Sequence, residues 1–128
     1  MNLVALAAVL VGGALGSALR WMLGTALNPL LPQLPLGTLA VNLVGGFIIG
    51  AAMGMFEHFH SLPVEWRLFA ITGFCGGFTT FSAFSAETVS ALLRAEYGWS
   101  IAIVLAHVCG SLLMTLAGIL FVRLLTQG

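Results

Sequence analysis

The sequence predicts an all-α membrane protein with four transmembrane helices, and three observations carry that prediction. Hydrophobic residues make up 60% of the chain and charged residues only 6%, far short of the roughly one quarter of charged residues typical of a soluble domain. Four runs are almost free of charge over about the 20 residues that a helix needs to cross a bilayer. Turn-forming and amphipathic residues then mark the gaps between those runs.

The first run, Leu3 to Leu19, is preceded only by Met1 and Asn2. It lacks the positive leader of a cleaved signal peptide, so it reads as a span. Asn28, Pro29, Pro32 and Pro35 form the loop behind it, and the second run is Leu36 to Phe56. Ser61 and Pro63 separate it from the third, Leu68 to Ala86; Glu96, Tyr97 and Gly98 separate that from the fourth, Ile101 to Val122. With their flanks, the expected spans are about 3–24, 36–56, 66–94 and 99–125, in a single domain covering 1–128. Trp21, Trp66, Tyr97 and Trp99 fall beside these boundaries, where amphipathic rings favour the headgroup level. Cys75 and Cys109 lie in different spans without CxxC spacing and read as small buried residues, not as a disulfide or zinc site.

The chain has no lysine, and its four arginines are Arg20, Arg67, Arg94 and Arg123. Four spans put both termini on one side, so Arg67 and Arg123 face one compartment and Arg20 and Arg94 the other. An excess of basic residues on the cytoplasmic side sets orientation; a count of two against two leaves both orientations open. Gly46, Gly50 and Gly54 form a small-xxx-small ridge on the second helix, and Gly12 and Gly16 repeat it on the first. Such ridges serve packing within the chain or against a second copy, and four thin helices do not enclose a wide solvated path alone.

Polar atoms in these spans are few and grouped. Asn42 stands alone on the second helix. His107, Ser111 and Thr115, at i, i+4 and i+8, share one face of the fourth. Thr79, Thr80, Ser82 and Ser85 cluster on the third, with Glu87 just beyond. A single Ser or Thr often bonds back to its own helix, but here the hydroxyls are concentrated. There is no acidic pair, no Ser/His/Asp set, no phosphate-binding glycine loop and no metal-ligand spacing, so the set does not read as an enzyme. His107, without carboxylate or cysteine companions, reads as a packing residue or vestibule lining. Neutral donors and the positive edges of aromatic rings suit an anion.

Gly73, Gly76 and Gly77 make a continuous helix costly, so the third span is expected to unwind over 73–79 near the bilayer midplane. Freed carbonyls there can hold a cation, be satisfied by hydroxyls or water, or leave a half-helix N-terminus facing an anion. Phe81 and Phe84 follow at i, i+3.

The segment GFCGGFTTFSAFSAE at 73–87, with GTLAVNLVGGFIIG at 37–50 and HVCGSLLMT at 107–115, resembles the Fluc (CrcB) family of bacterial fluoride channels, in order across all four spans. That resemblance implies an antiparallel, dual-topology homodimer in the bacterial cytoplasmic membrane. It would pass toxic fluoride outward through two pores by passive electrodiffusion, with no enzymatic activity and no nucleic-acid partner. It also implies a structural sodium ion at the dimer interface, held by the backbone carbonyls of Gly76 and Thr79. The implied fluoride path is lined by Asn42, Phe81, Phe84, Ser82, Ser111 and Thr115, with Arg20 in a positive vestibule. Ala83 departs from the family's usual form, in which a hydroxyl often stands there. The competing class is a small dual-topology, proton-coupled exporter of hydrophobic cations, which needs a membrane-embedded carboxylate. The first helix has none, Glu57 and Glu65 fall at boundaries, and Glu87 lies past the expected break.

Overall fold

Residues 1–128 are described by a computed structural model. Helix α1 (Leu3–Leu27) starts where the Asn2 side chain accepts a hydrogen bond from Ala5 N at 2.7 Å, satisfying one of the orphan amides of the first turn. A short 3-10 turn, Asn28–Leu30, leads to α2 (Leu36–His58). Pro35 precedes α2 and offers no side-chain cap. Asn28, ten residues back from Thr38, supplies one instead: its Oδ1 accepts from Thr38 N at 3.0 Å.

The third span is built in pieces. α3 (Val64–Arg67) passes into a π-helical segment, Leu68–Cys75, then α4 (Gly76–Phe78), and α5 (Ser82–Leu93) follows after an interruption. α6 (Tyr97–Gln127) completes the chain. Four stretches, Leu3–Leu30, Leu36–His58, Val64–Leu93 and Tyr97–Gln127, are long and apolar enough to cross a membrane.

α1 packs along the π segment and α4, and α2 packs along α6. Both contacts are made by the glycine ridges, and both are within the chain. A Cβ at Gly12 or Gly16 would run into the backbone of Phe69, Phe74 or Phe78; one at Gly50 would strike the Thr115 carbonyl, and one at Gly118 the Phe47 carbonyl. The ridges therefore close this fold on itself and are not left over for a second copy.

Gly73 and Gly77 belong to the same arrangement. A Cβ at Gly73 would sit 2.8 Å from Val9 O, and one at Gly77 would meet Gly13 O and lie 3.0 Å from Ser17 Oγ. Here the structure corrects the expected unwinding over 73–79. Residues 73–78 are helical, no glycine has a positive φ, and the helix leaves off only at Thr79, which is extended at φ −86°, ψ 162°. The glycines let two backbones touch; they do not break the span.

The α5–α6 hairpin turns on Ala95, the only residue with positive φ, at 57°. Glu96 N donates to Ala91 O at 2.9 Å and Ala95 N to Leu92 O at 3.0 Å, the paired bonds of a Schellman ending, with alanine where glycine is usual. Only 20 of 128 residues are buried. Large apolar side chains cover the outside instead, among them Leu10, Leu15, Val104, Leu112 and Leu116, as expected of helices solvated by lipid.

Candidate functional site

The interruption between Phe78 and Ser82 is made by side chains that take over backbone hydrogen bonds. Thr80 N, which a continuing helix would aim at the Gly76 carbonyl, donates instead to Asn42 Oδ1 at 2.8 Å. Asn42 Nδ2 donates back to Thr80 O at 2.9 Å. One amide on α2 thus pairs with both backbone groups of Thr80, as a neighbouring strand would. Three residues on, Ala83 N donates to Thr80 Oγ1 at 3.1 Å, leaving the Thr79 carbonyl without its helical donor and capping the start of α5. The Gly77 carbonyl is taken by Arg20 Nε at 2.8 Å. That places a guanidinium at the negative end of the helical run through α4, where a cation is favoured.

Two cavities meet at this point, and Thr80 lines both. The inner one, of about 420 Å³, is walled by Asn42, Gly76, Thr79, Phe81, Phe84, His107 and Ser111 together with aliphatic side chains, and no Asp, Glu, Lys or Arg reaches it. The outer one, of about 500 Å³, is walled by Ser17, Arg20, Asn28 and Thr38, with Ala83 beside Thr80 at its inner end. A positive, hydroxyl-lined chamber therefore adjoins a neutral one lined by donors and rings.

Inside the neutral cavity the phenylalanines form an edge-to-face pair, their centroids 5.4 Å apart at 74°. Phe84 is 8% exposed and stacks on His107 at 4.7 Å, whereas Phe81 is 77% exposed. His107, 3% exposed, approaches Asn42 Nδ2 through its Nδ1 at 2.9 Å, and its Nε2 has no partner. Such an unmet buried polar atom costs about 1–3 kcal/mol.

Of the residues named from the sequence, Asn42, Phe81, Phe84 and Ser111 share the inner cavity with Gly76 and Thr79, and Arg20 lies in the outer one. Ser82 and Thr115 line neither. The Ser82 hydroxyl is exposed and lies 3.4 Å from Thr80 Oγ1. Thr115 donates back to Ser111 O at 3.0 Å, beneath Gly46 and Gly50. Asn42 does not stand alone, because both its donors and its acceptor are engaged by Thr80 and His107.

Sequence reasoning passed over the chain Asn28–Thr38–Glu87. Asn28 Nδ2 donates to Thr38 Oγ1 at 3.4 Å, and Thr38 Oγ1 to Glu87 Oε1 at 2.6 Å. Glu87 Oε2 is buried without a partner. The one available signal was Thr38 and Asn42 at i, i+4, which places both on the same face of α2.

The chain is 59% identical, over 99% of its own length and of the relative's, to a protein of Nitrosospira multiformis named as a fluoride-specific ion channel. Proteins of the same name from Nitrosomonas europaea and Pseudomonas aeruginosa are 54% and 55% identical, each over 88% of both chains. A family model described as CrcB-like protein, Camphor Resistance (CrcB), matches residues 7–119. With that match running from the first span into the fourth, the chain belongs to the CrcB family.

Proposed function

We propose that this protein is a fluoride-specific ion channel, passing fluoride down its gradient out of the cell across the bacterial cytoplasmic membrane. The observation that carries the reading is the pair of cavities that share Thr80 as a wall, one lined by Arg20 and the other free of charged side chains. It occurs in a chain whose relatives bear that name over nearly their full length. Fluoride holds its water tightly, so a selective path must replace that water with short hydrogen bonds and ring edges yet release the ion. Arg20 concentrates anions in the outer chamber. Beyond Thr80 the Phe81 and Phe84 edges and the Ser111 hydroxyl meet the ion without a fixed positive charge that would trap it.

The working form is an antiparallel homodimer with two such paths. Phe81 walls the inner cavity yet is 77% exposed; a second copy laid across it would close the wall and bring Ser82 toward the path. A structural sodium ion would lie between the copies. The Gly76 and Thr79 carbonyls are the two whose helical donors have been diverted, to Asn42 and to the Thr80 hydroxyl, and hard backbone oxygens suit such an ion. It would satisfy those carbonyls and add positive potential beside the anion paths.

Purified protein in liposomes loaded with fluoride or chloride tests the reading. Rapid fluoride efflux with chloride retained is expected; proton-coupled uptake of a hydrophobic cation, driven through Glu87, would replace this reading with the exporter.

A further inference from the structure

The α5–α6 hairpin carries a third cavity, of about 500 Å³, which shares no residue with the two described above. Its walls come from one short stretch: Ala95, Glu96, Tyr97, Gly98, Trp99 and Ala102. The turn makes the hollow. Ala95, in its left-handed conformation, reverses the chain just before α6 begins at Tyr97. Gly98 and Ala102 then leave the space unfilled, and a Cβ at Gly98 would meet nothing within 4 Å. The larger side chains of the wall are a carboxylate and two amphipathic rings, with no Lys or Arg among them. Ring faces carry negative potential, as Glu96 does, so the hollow suits a cation.

A basic group stands just outside. Arg94 pairs with Glu96 across the turn, Nε to Oε1 at 3.2 Å and Nη2 to Oε2 at 3.3 Å. The pair is partly exposed and its bonds are long, so it holds its partners weakly and leaves both open to a further ligand. A hollow for a cation and a guanidinium for an anion thus lie side by side, as the two charges do in a zwitterionic phospholipid headgroup. The surroundings favour a lipid over a solute. Tyr97 and Trp99, both exposed, stand at the start of a helix long and apolar enough to cross a membrane, where headgroups lie. From Tyr97 the exposed side chains of Ile101 and Leu105 follow at i+4 and i+8, on one face of α6. Acyl chains below a headgroup in the hollow have that face to lie along.

We infer that this hollow is a headgroup site for a phospholipid with a primary ammonium. Glu96 and the ring faces of Tyr97 and Trp99 hold the ammonium, Arg94 the phosphate, and Ile101 and Leu105 the acyl chains. A primary ammonium is preferred to a quaternary one because its N–H groups can donate to the Glu96 carboxylate. A headgroup with a phosphate and no cation leaves Glu96 and the rings unused. Bound there, the lipid ties the turn before α6 to the headgroup level. The inference goes beyond the fluoride-channel reading and does not depend on it.

Quenching of Trp99 by brominated lipids tests the site. Trp21→Phe and Trp66→Phe leave Trp99 as the only one of three tryptophans. This protein, checked for an unaltered size-exclusion peak, is placed in liposomes containing one phospholipid brominated on its acyl chains, which quenches a tryptophan that it touches. At equal mole fraction, the ethanolamine lipid is expected to bind at Trp99 about fivefold more strongly than the choline or glycerol lipid. Glu96→Gln should bring the ratio of ethanolamine to choline lipid close to 1, and Tyr97→Leu, which keeps an apolar contact without the ring, should lower it for the same reason. A protein that keeps only Trp66, at another boundary, should show no headgroup preference. The inference is overturned by equal quenching from all three lipids at Trp99, by a preference for the choline or glycerol headgroup, or by the same ethanolamine preference at Trp66. It is also overturned if no lipid quenches Trp99, because a second copy then covers this face. Release of the quenching by water-soluble glycerophosphoethanolamine would assign the hollow to a soluble amine instead of a lipid.

Discussion

The third span touches its neighbours in two ways within a few residues. Up to Phe78 it lies backbone to backbone against α1, through Gly73 and Gly77 on one side and Gly12 and Gly16 on the other. From Thr79 to Phe81 its backbone leaves the helix and is held by Asn42 and by the Thr80 hydroxyl. The first contact is dry over most of its length, with Ser17 and Arg20 of α1 reaching it only at Gly77; the second is almost wholly polar. The two use different chemistry because they do different work. Glycine removes volume so that helices can touch, and none of the chain's 16 glycines uses a positive φ. Side-chain amides and hydroxyls remove hydrogen-bond donors from the backbone so that carbonyls are released beside a cavity.

The largest effect should come from filling the dry contacts. Gly50→Val would drive methyl groups into the Thr115 backbone, and Gly77→Val would do the same at Gly13. Each is expected to cost at least about 3 kcal/mol, seen as loss of a monodisperse peak in size-exclusion chromatography. If both variants stay folded with wild-type thermal stability, the glycines are not there for space and the contrast between the two regions fails.

Next in size is the polar side. Asn42→Leu keeps bulk but leaves Thr80 N, Thr80 O and His107 Nδ1 without their partners, each loss worth about 1–3 kcal/mol where water cannot enter. Fluoride efflux from liposomes should fall to background. Asn42→Asp should keep the bond from Thr80 N and so retain more stability than Asn42→Leu, while still losing flux. Equal stability of the two variants would show that the amide does not hold the interruption.

The phenylalanine pair sharpens the comparison further, because one ring belongs to the packed interior and the other does not. Phe84→Ile removes a buried ring stacked on His107 and is expected to lose both flux and about 1–2 kcal/mol of stability. Phe81→Ile changes a ring that is 77% exposed in the single chain. It should lose flux with little change in the chain's own stability. Thermal melts beside efflux assays separate the two, and identical behaviour would mean that both rings do the same job.

The sequence made one side of this contrast legible and hid the other. Four long apolar helices followed from apolar length, with proline and asparagine punctuating the chain in the loops between them. The place of the interruption was misread for a physical reason. Glycine is both a weak helix former and the smallest residue, and a sequence does not say which property is in use; α1, about 60 residues away, decides it. Asn42 and Arg20 likewise act on residues far along the chain, at Thr80 and Gly77, so spacing showed that they were polar and not what they held. The His107–Ser111–Thr115 stripe was visible as a face, but only packing separates Thr115, covered by α2, from the two residues that line the cavity.

The smallest effect expected is also the cleanest check that glycine here means space. Ala95 holds the left-handed conformation that ends α5, at φ 57°, and a residue with a Cβ is strained there by roughly 1–2 kcal/mol relative to the right-handed helix. Glycine removes that strain but gives the unfolded chain more freedom to lose, which returns part of the gain. Ala95→Gly should therefore stabilise the chain by about 1 kcal/mol. Gly98 offers the reverse test: it lies in the first turn of α6 and a Cβ there would meet nothing within 4 Å, so Gly98→Ala should be neutral or stabilising by up to about 1 kcal/mol. Neither position lines either of the two cavities that share Thr80, so fluoride flux should not change. Thermal melts of the two single variants and of the double variant, which exchanges alanine and glycine across three residues, would measure this. A net loss of stability in the double variant would mean that the hairpin needs its alanine, and that conformational strain at Ala95 is not the deciding quantity.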